Sequence, residues 1–424
     1  MRVFRRLRAK ARQVSSNVPK ASGGMAESRT SVIVVGAGPV GLVCALRLAG
    51  ADMPVTVLEA GAAIHEDLRA STWHPPTLDM LAGYGLADPL ISQGLITPTW
   101  QVRMHSTGER AEFDLSILKD ETDHPYRLQC EQWKLGHLIV ARLKRHAMAE
   151  LKFSTTLKSV TQTDSRVAAL VEGPGGPAEL TADWLIAADG ANSTVRRGLD
   201  LPFTGHTYPE TTILATTRFP FQDHLEGLSN VNYVWSEKGT FSLLRLPDLW
   251  RCSLYPDPDE TIEQAMTPEA IEAKLQRIVP TGELYEVMEV RPYRVHQRIV
   301  EDYRHGRILL AGDAAHINSP SGGMGMNGGI HDAFNLTEKL MAMAKEGADE
   351  SLLDLYTRQR RPIAREEILM QADRNRARMQ ERDTEKRLAM LRDLQTIAAN
   401  PERSHAYLLR TSMIEGLRRA ALVG

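Results

Sequence analysis

The chain has 424 residues, 42% of them hydrophobic and 25% charged, which is the profile of a globular protein with core enough for two or three sub-domains and excludes a disordered or fibrous one. With 51 Lys and Arg against 53 Asp and Glu the net charge is −2, too small a field for a nucleic-acid-binding protein. Three cysteines, Cys44, Cys130 and Cys252, are odd in number and too scattered for a disulfide framework or a Cys-x-x-Cys site, so a reducing compartment and no metal are expected.

Residues 1–27 read as a basic leader or disordered tail. They carry Arg2, Arg5, Arg6, Arg8, Lys10, Arg12 and Lys20, and the first acid is Glu27. With Phe4, Leu7, Ala11 and Val14 near one helical face, the first 24 residues have the composition of a mitochondrial transit peptide. A basic tail, or an extension upstream of a start at Met25, fits equally. The expected location is the cytoplasm, with the mitochondrion as the alternative if the leader is a transit peptide.

Next comes the run Val-Ile-Val-Val from Val32, which reads as a buried parallel strand, then Gly36-Ala-Gly38-Pro-Val-Gly41 and the helical pattern Leu42, Ala45, Leu46, Ala49. A second β-branched strand, Val55 to Leu58, ends at Glu59, 18 residues after Gly41. In such a unit the first glycine permits the tight turn, the second lets backbone approach a pyrophosphate, and the third lets helix and strand pack closely. Glu59 is placed to accept hydrogen bonds from an adenosine ribose, so the unit reads as dinucleotide-binding. The longest apolar stretch, Ser31 to Ala51, is interrupted by Gly36, Gly38, Pro39, Gly41 and Arg47, so no transmembrane segment is expected.

Alternating residues mark strands around Val102 to Phe113, and a helix is predicted from about Glu131 to Ala149. Gly173-Pro-Gly-Gly-Pro177 is a turn signal between two strands that lead into the apolar run Trp184 to Ala188. Between Leu201 and Arg291 the composition shifts to Thr, Tyr, Trp and Phe at alternating positions. Tyr233, Trp235, Phe241 and Tyr255 are candidates there for a pocket wall. A further strand, Arg307 to Ala311, runs into a glycine-rich segment and a helix, and residues 351–424 read as helices. The fold class predicted is α/β: a Rossmann-like dinucleotide-binding domain in two parts, 28–200 and 292–350, with a sheet-rich substrate domain inserted at 201–291 and C-terminal helices at 351–424.

Two more motifs follow strands: Asp189-Gly190-Ala-Asn-Ser-Thr-Val-Arg196, and Gly312-Asp313-Ala-Ala-His316 with Pro320-Ser-Gly-Gly323-Met-Gly325-Met326-Asn327 after it. With Gly36 to Gly41, in this order, the set resembles the class A FAD-dependent aromatic hydroxylases, flavoprotein monooxygenases of the p-hydroxybenzoate hydroxylase type. The resemblance spans roughly residues 31 to 361. It implies that Gly36, Gly38, Gly41 and Glu59 hold the ADP half of FAD and that Gly312 and Asp313 meet the ribityl chain. Asp189, Gly190 and Arg196 are implied in both FAD and pyridine-nucleotide use. Arg69 and Gln132, with Gln129 as the alternative to Gln132, are implied in cofactor contact. The loop Pro320 to Asn327, including Gly323, Gly325 and Met326, is implied to lie against the isoalloxazine.

The activity implied is hydroxylation of an aromatic, phenolic small molecule by way of a flavin C4a-hydroperoxide, with NADH or NADPH and O2 as co-substrates. Such chemistry needs no protein nucleophile. Only Pro320, through the loop backbone, is therefore assigned to the reacting centre, and His316 is expected to pack or hydrogen-bond beside Asp313. A homodimer is compatible with the family. The rival readings are a flavin-dependent reductase or halogenase on the same fold, or a non-catalytic FAD-binding protein. The halogenase signature W-x-W-x-I-P is not recognisable in the chain.

Overall fold

The computed structural model describes residues 30–67 and 70–424; the basic leader and Arg69 lie outside the described residues. Strand β1 (Val32–Val35) is buried along its whole length, as a strand covered on both faces must be. It leads through the glycine turn into helix α1 (Pro39–Ala49), whose Leu42, Val43, Ala45 and Leu48 lie in the same core, and β2 (Val55–Leu58) returns parallel to β1. The sheet so founded has six strands in the order Arg304–His305, Ile308–Leu310, Trp184–Ala187, β1, β2 and Ala149–Lys152. Its four central strands run parallel in register, Val32 beside both Trp184 and Val55, and Leu185 beside Ile308. The predicted hairpin is present, Val167–Gly173 pairing antiparallel with Gly176–Ala182, and the helix predicted from Glu131 runs Gln132–Leu143.

The second sheet has eight strands: His316–Ile317, Val287–Ile299, Thr204–Thr217, Trp250–Leu254, Gly239–Arg245, Val231–Ser236, Thr99–Met104 and Arg110–Asp114. It therefore reaches beyond the predicted 201–291 segment at both ends. Thr99–Met104 joins it by parallel pairing with Val231–Ser236, a contact between segments more than 100 residues apart that no local pattern announces. Side chains alternate across it as the pleat requires. Val231, Tyr233 and Trp235 pack with Leu391, Leu394 and Tyr407 of the C-terminal helices, while Val234 packs with Phe221 and Ile271 on the other face.

The C-terminal region is helical, as expected: Leu352–Ile363, Met370–Gln380, Thr384–Ala399, Pro401–Thr411 and Ile414–Leu422. Pro362, which has no N–H to give, is followed by a π-helical turn at Ala364–Leu369.

The long helix Met324–Glu346 is tied to the parallel sheet by one buried acid. Asp332 accepts from Arg360 Nε at 2.7 Å, is 2.7 Å from His316 Nε2, and accepts from the Gly312 N–H at 3.2 Å. His316 is buried, as the expectation that it packs requires, and its hydrogen-bond partner is Asp332. Burial opposes ionisation of Asp332, but Arg360 and His316 outweigh it and hold the carboxyl below the usual carboxylate range. Asp332→Ala leaves Arg360, 1% exposed, as an uncompensated buried charge. A loss of about 3–5 kcal/mol is expected, read as a fall in the urea midpoint at unchanged m-value.

Candidate cofactor and substrate site

Four adjacent parallel strands each end in one of the sequence motifs. Ile308–Leu310 leads to Gly312-Asp313, Trp184–Ala187 to Asp189-Gly190, β1 to Gly36–Gly41, and β2 to Glu59. Ligands of open α/β sheets bind at this edge. The turns can approach only because they lack side chains. A Cβ at Gly36 (φ +101°) would lie 2.4 Å from the Ala188 carbonyl oxygen, and one at Gly41 would lie 2.0 Å from the Gly36 carbonyl oxygen. Gly38, at the head of α1, instead faces open space with no atom within 4 Å of its missing Cβ. The head of α1 has no side-chain cap and no acid in its first turn, which leaves its N–H groups for an anion. Glu59 accepts from the Ala37 and Gly61 N–H groups, both at 2.8 Å, and each of its oxygens keeps a lone pair. A diphosphate at α1 and a ribose at Glu59 fit these groups.

The Asp189 motif is partly structural. Asp189 Oδ2 accepts from the Thr194 and Val195 N–H groups at 2.7 and 3.2 Å, so the head of that short helix is already filled, while Oδ1 is buried without a partner. Gly190 (φ +78°) opens onto free space. Arg196, nearly buried, donates to the carbonyls of Ala314 at 3.0 Å and Ala191 at 2.7 Å and stacks on Phe203. Its guanidinium clamps the Asp189 motif to the Gly312 motif. Gly312 (φ +60°) and Gly329 both let Val40 of α1 pack within about van der Waals contact, since a Cβ at either would lie 2.9 or 2.6 Å from it.

The glycine loop is a turn closed by the Gly323 N–H to the Pro320 carbonyl at 3.0 Å, with the positive φ at Gly322 (+97°) that a type II turn needs. Gly323 (φ +66°) heads the long helix, again with no side-chain cap and no acid in the first turn. Asn327 spends its side chain on the protein: Nδ2 donates to the Thr72 and Gly323 carbonyls at 2.9 and 2.7 Å, and Oδ1 accepts from the His74 N–H at 3.0 Å. His74, one of the scattered histidines read from the sequence as structural, lies 2.9 Å from the Gly322 carbonyl through Nε2, which assigns the proton to that nitrogen. Gly325 and Met326 lie half-buried in the first turn. Of the two candidate glutamines, Gln132 is half-buried at the start of its helix, and Gln129 is fully buried with its Nε2 unpartnered.

Gly322 also lines a cavity between this loop, the large sheet and the C-terminal helices. Trp100, Arg127, Tyr233, Met324, Asn375 and Tyr407 are among its walls, and its space is about 20 Å³, room for roughly one water. Of the four aromatics picked from the sequence only Tyr233 is there. Trp235 is buried and donates to the Arg378 carbonyl at 3.0 Å, while Phe241 and Tyr255 line a different cavity of about 330 Å³ beside Asp257 and Lys274. Trp100, Arg127, Asn375 and Tyr407 were not legible as site residues, since they come from four distant segments with no common spacing.

This geometry belongs to a known class. Residues 29–372 match the family model described as FAD binding domain, and the chain belongs to that family as a class A FAD-dependent aromatic hydroxylase, a flavoprotein monooxygenase with FAD as its cofactor. It is 35% identical over 368 residues to para-nitrophenol 4-monooxygenase of Pseudomonas sp. (strain WBC-3), covering 85% of this chain and 90% of that one. It is 36% identical over 331 residues to 6-hydroxy-3-succinoylpyridine 3-monooxygenase HspB of Pseudomonas putida (strain DSM 28022 / S16), covering 78% and 84%. Among solved structures, p-nitrophenol 4-monooxygenase PnpA from Pseudomonas putida DLL-E4 superposes with a TM-score of 0.85 at 33% identity, covering 92% of this chain and 98% of that one.

His74 gives the site a pH signature. Burial, with Arg127 adding to it, pushes the imidazole down to about 3, so the folded protein holds it neutral where the unfolded chain takes up a proton below about 6.5. Stability is therefore complete above about pH 6.5 and is lost as pH falls toward 3, by up to about 1.4 kcal/mol per pH unit. His331, buried against Thr77, shifts in the same direction. In His74→Gln, which keeps an N–H donor for Gly322, the slope of unfolding free energy between pH 6 and 4 should fall by roughly that amount. An unchanged slope would place the titration elsewhere.

Proposed function

We propose that this chain inserts one oxygen atom of O2 into a phenolic ring at the expense of NADH or NADPH. In this reading Gly36, Gly38, Gly41 and Glu59 hold the ADP half of FAD, and Asp189, Gly190, Gly312 and Asp313 line the middle of the cofactor. Residues 320–327 carry its isoalloxazine. The supporting observation is the convergence of four motif turns on the C-terminal edge of four adjacent parallel strands.

FAD, when bound, would supply the redox chemistry that couples oxidation of NADH or NADPH by O2 to insertion of one oxygen atom into the ring, with water as the other product. The protein binds, orients and excludes water. The uncapped N–H groups at the head of the long helix would serve as fixed donors to the negative charge that gathers on the flavin on reduction, stabilising it without reorganisation. Pro320 shapes that turn through its carbonyl, accepting from Gly323. Trp100, Tyr233, Met324 and Tyr407 line the cavity, and walls of this kind would help to keep water from the reacting ring.

Purified protein should release FAD and not FMN, and a phenolic substrate should speed NAD(P)H oxidation and gain one oxygen by mass spectrometry. FMN in the released flavin, or reductant consumption with no oxygenated product across a broad phenol screen, would overturn the reading. Asp313→Ala should lower FAD affinity by roughly tenfold to a hundredfold, measured by apoprotein reconstitution.

A further inference from the structure

The cavity that Gly322 lines has room for roughly one water, so a wall must part before a substrate ring can enter. Most of its walls are fixed. Trp100, Arg127 and Tyr233 stand on hydrogen-bonded strands, Tyr407 stacks with Trp100 and Phe113, and the glycine loop is braced by Asn327 and His74. The exception is the helix Met370–Gln380, which contributes Gln371, Asn375, Arg378 and Met379. Of its eleven residues only Gln371, Ala372 and Met379 are buried, so little apolar packing holds it. Trp235 fixes its last turn through the Arg378 carbonyl, which leaves the turns bearing Asp373 and Arg376 to side-chain ties.

Those ties come from an irregularity in the strand Thr204–Thr217. Thr207 pairs with His296 and Thr211 with Arg294, so Tyr208, Pro209 and Glu210 together stand opposite Val295 alone. Such a bulge interrupts the ladder and re-aims side chains. Both of its polar side chains reach the helix. The Tyr208 hydroxyl, also in contact with the Gln297 amide, donates to Asp373 at 2.6 Å, and Glu210 is ion-paired with Arg376. The Arg376 guanidinium lies 3.8 Å from the centroid of the Tyr208 ring and 4.0 Å from Asp373.

The seam so closed runs inward from solvent. Asp373 is half exposed, Glu210 and Arg376 are less so, and Tyr208 is buried. Tyr255 is within electrostatic reach of Glu210 and Arg376 and also of Tyr233 on the cavity wall, so seam and cavity adjoin. Closure leaves Arg376 Nε and Glu210 Oε2 buried without partners. Opening returns both atoms, and a solvent-bordering ion pair, to water, which keeps its cost small.

We infer that the seam between the bulge Tyr208–Glu210 and the helix Met370–Gln380 is the entrance for the aromatic substrate, and that Tyr208–Asp373 and Glu210–Arg376 are its latch. Closing behind the ring, the latch shuts water out again. The four side chains act through the wall they hold, as positioning residues. The inference rests on the function proposed above only for the nature of the ring.

The test is stopped-flow mixing of the FAD-loaded enzyme with 4-nitrophenol, followed by the change in flavin absorbance. A latch that opens for entry and exit alike governs both rates. Asp373→Asn combined with Glu210→Gln should therefore raise the association and dissociation rate constants together, by roughly tenfold, with Kd nearly unchanged. Tyr208→Phe should give part of this effect, Asp373→Glu, which keeps the carboxylate, should stay near wild type, and Arg374→Gln on the exposed side of the helix should change nothing. Amide hydrogen exchange, which needs no ligand, should quicken in the combined variant over residues 205–212 and 370–380. If the combined variant does not fold, Tyr208→Phe decides by the same readouts. An unchanged association rate, a loss of affinity carried by dissociation alone, or exchange equal to wild type over both segments overturns the inference. A protein that retains no FAD sinks the functional reading, and the exchange comparison still decides the latch.

Discussion

How closely backbone can approach backbone is the constraint on which the site depends. Gly36 and Gly41 leave room for β1, α1 and the Asp189 turn to meet, and Gly312 and Gly329 leave room for the long helix to lie on Val40. These contacts place two uncapped helix heads, those of α1 and of Met324–Glu346, on one side of one sheet. Asp332 then locks the arrangement electrically, holding the Gly312 turn and the long helix to Arg360 on the C-terminal helices. A binding groove for a long dianionic cofactor follows from packing that glycine permits and from N–H groups that nothing else caps.

The motif turns were legible because their determinants are local. A glycine required by a positive φ or a close contact, and an acid at a strand end, declare themselves within twenty residues, and the parallel order of the strands followed from the β-α-β pattern. The substrate side was not legible. Trp100 and Arg127 precede the segment 201–291 in the chain, Tyr233 lies within it and Tyr407 comes near the end, and the parallel pairing of Thr99–Met104 with Val231–Ser236 brings the first and third together. The same non-local logic hid the hydrogen-bond partner of His316, which packs in the core as expected. Asp313 is nearer in sequence but exposed, whereas Asp332 projects from the buried side of the long helix.

Some residues read as cofactor contacts do more for the scaffold than their motif suggests. Arg196 joins two motif turns through carbonyl oxygens, Asn327 uses its whole amide on residues 72–74 and Gly323, and Asp189 caps a short helix with one oxygen. Residues 72–74 and the glycine loop are cross-braced by Asn327 from one side and His74 from the other, so neither can shift without the other. A loop rich in glycine is in this way held to a defined position by the side chains of Asn327 and His74.

The π-helical turn at Ala364–Leu369 sets the phase of everything after it. An α-helix turns its side chains by about 100° per residue, and a π turn takes up one residue more than an α turn over the same length. Gln371, Asn375 and Met379 recur at every fourth position along the face that lines the cavity, directly after that extra residue. Loss of a single residue between 364 and 369 would restore regular helix and swing this face about a quarter-turn around its axis. The shape of the pocket is therefore encoded partly in a count, the number of residues in one turn, and evolution could recast its wall by insertion or deletion without altering any residue that touches the ligand.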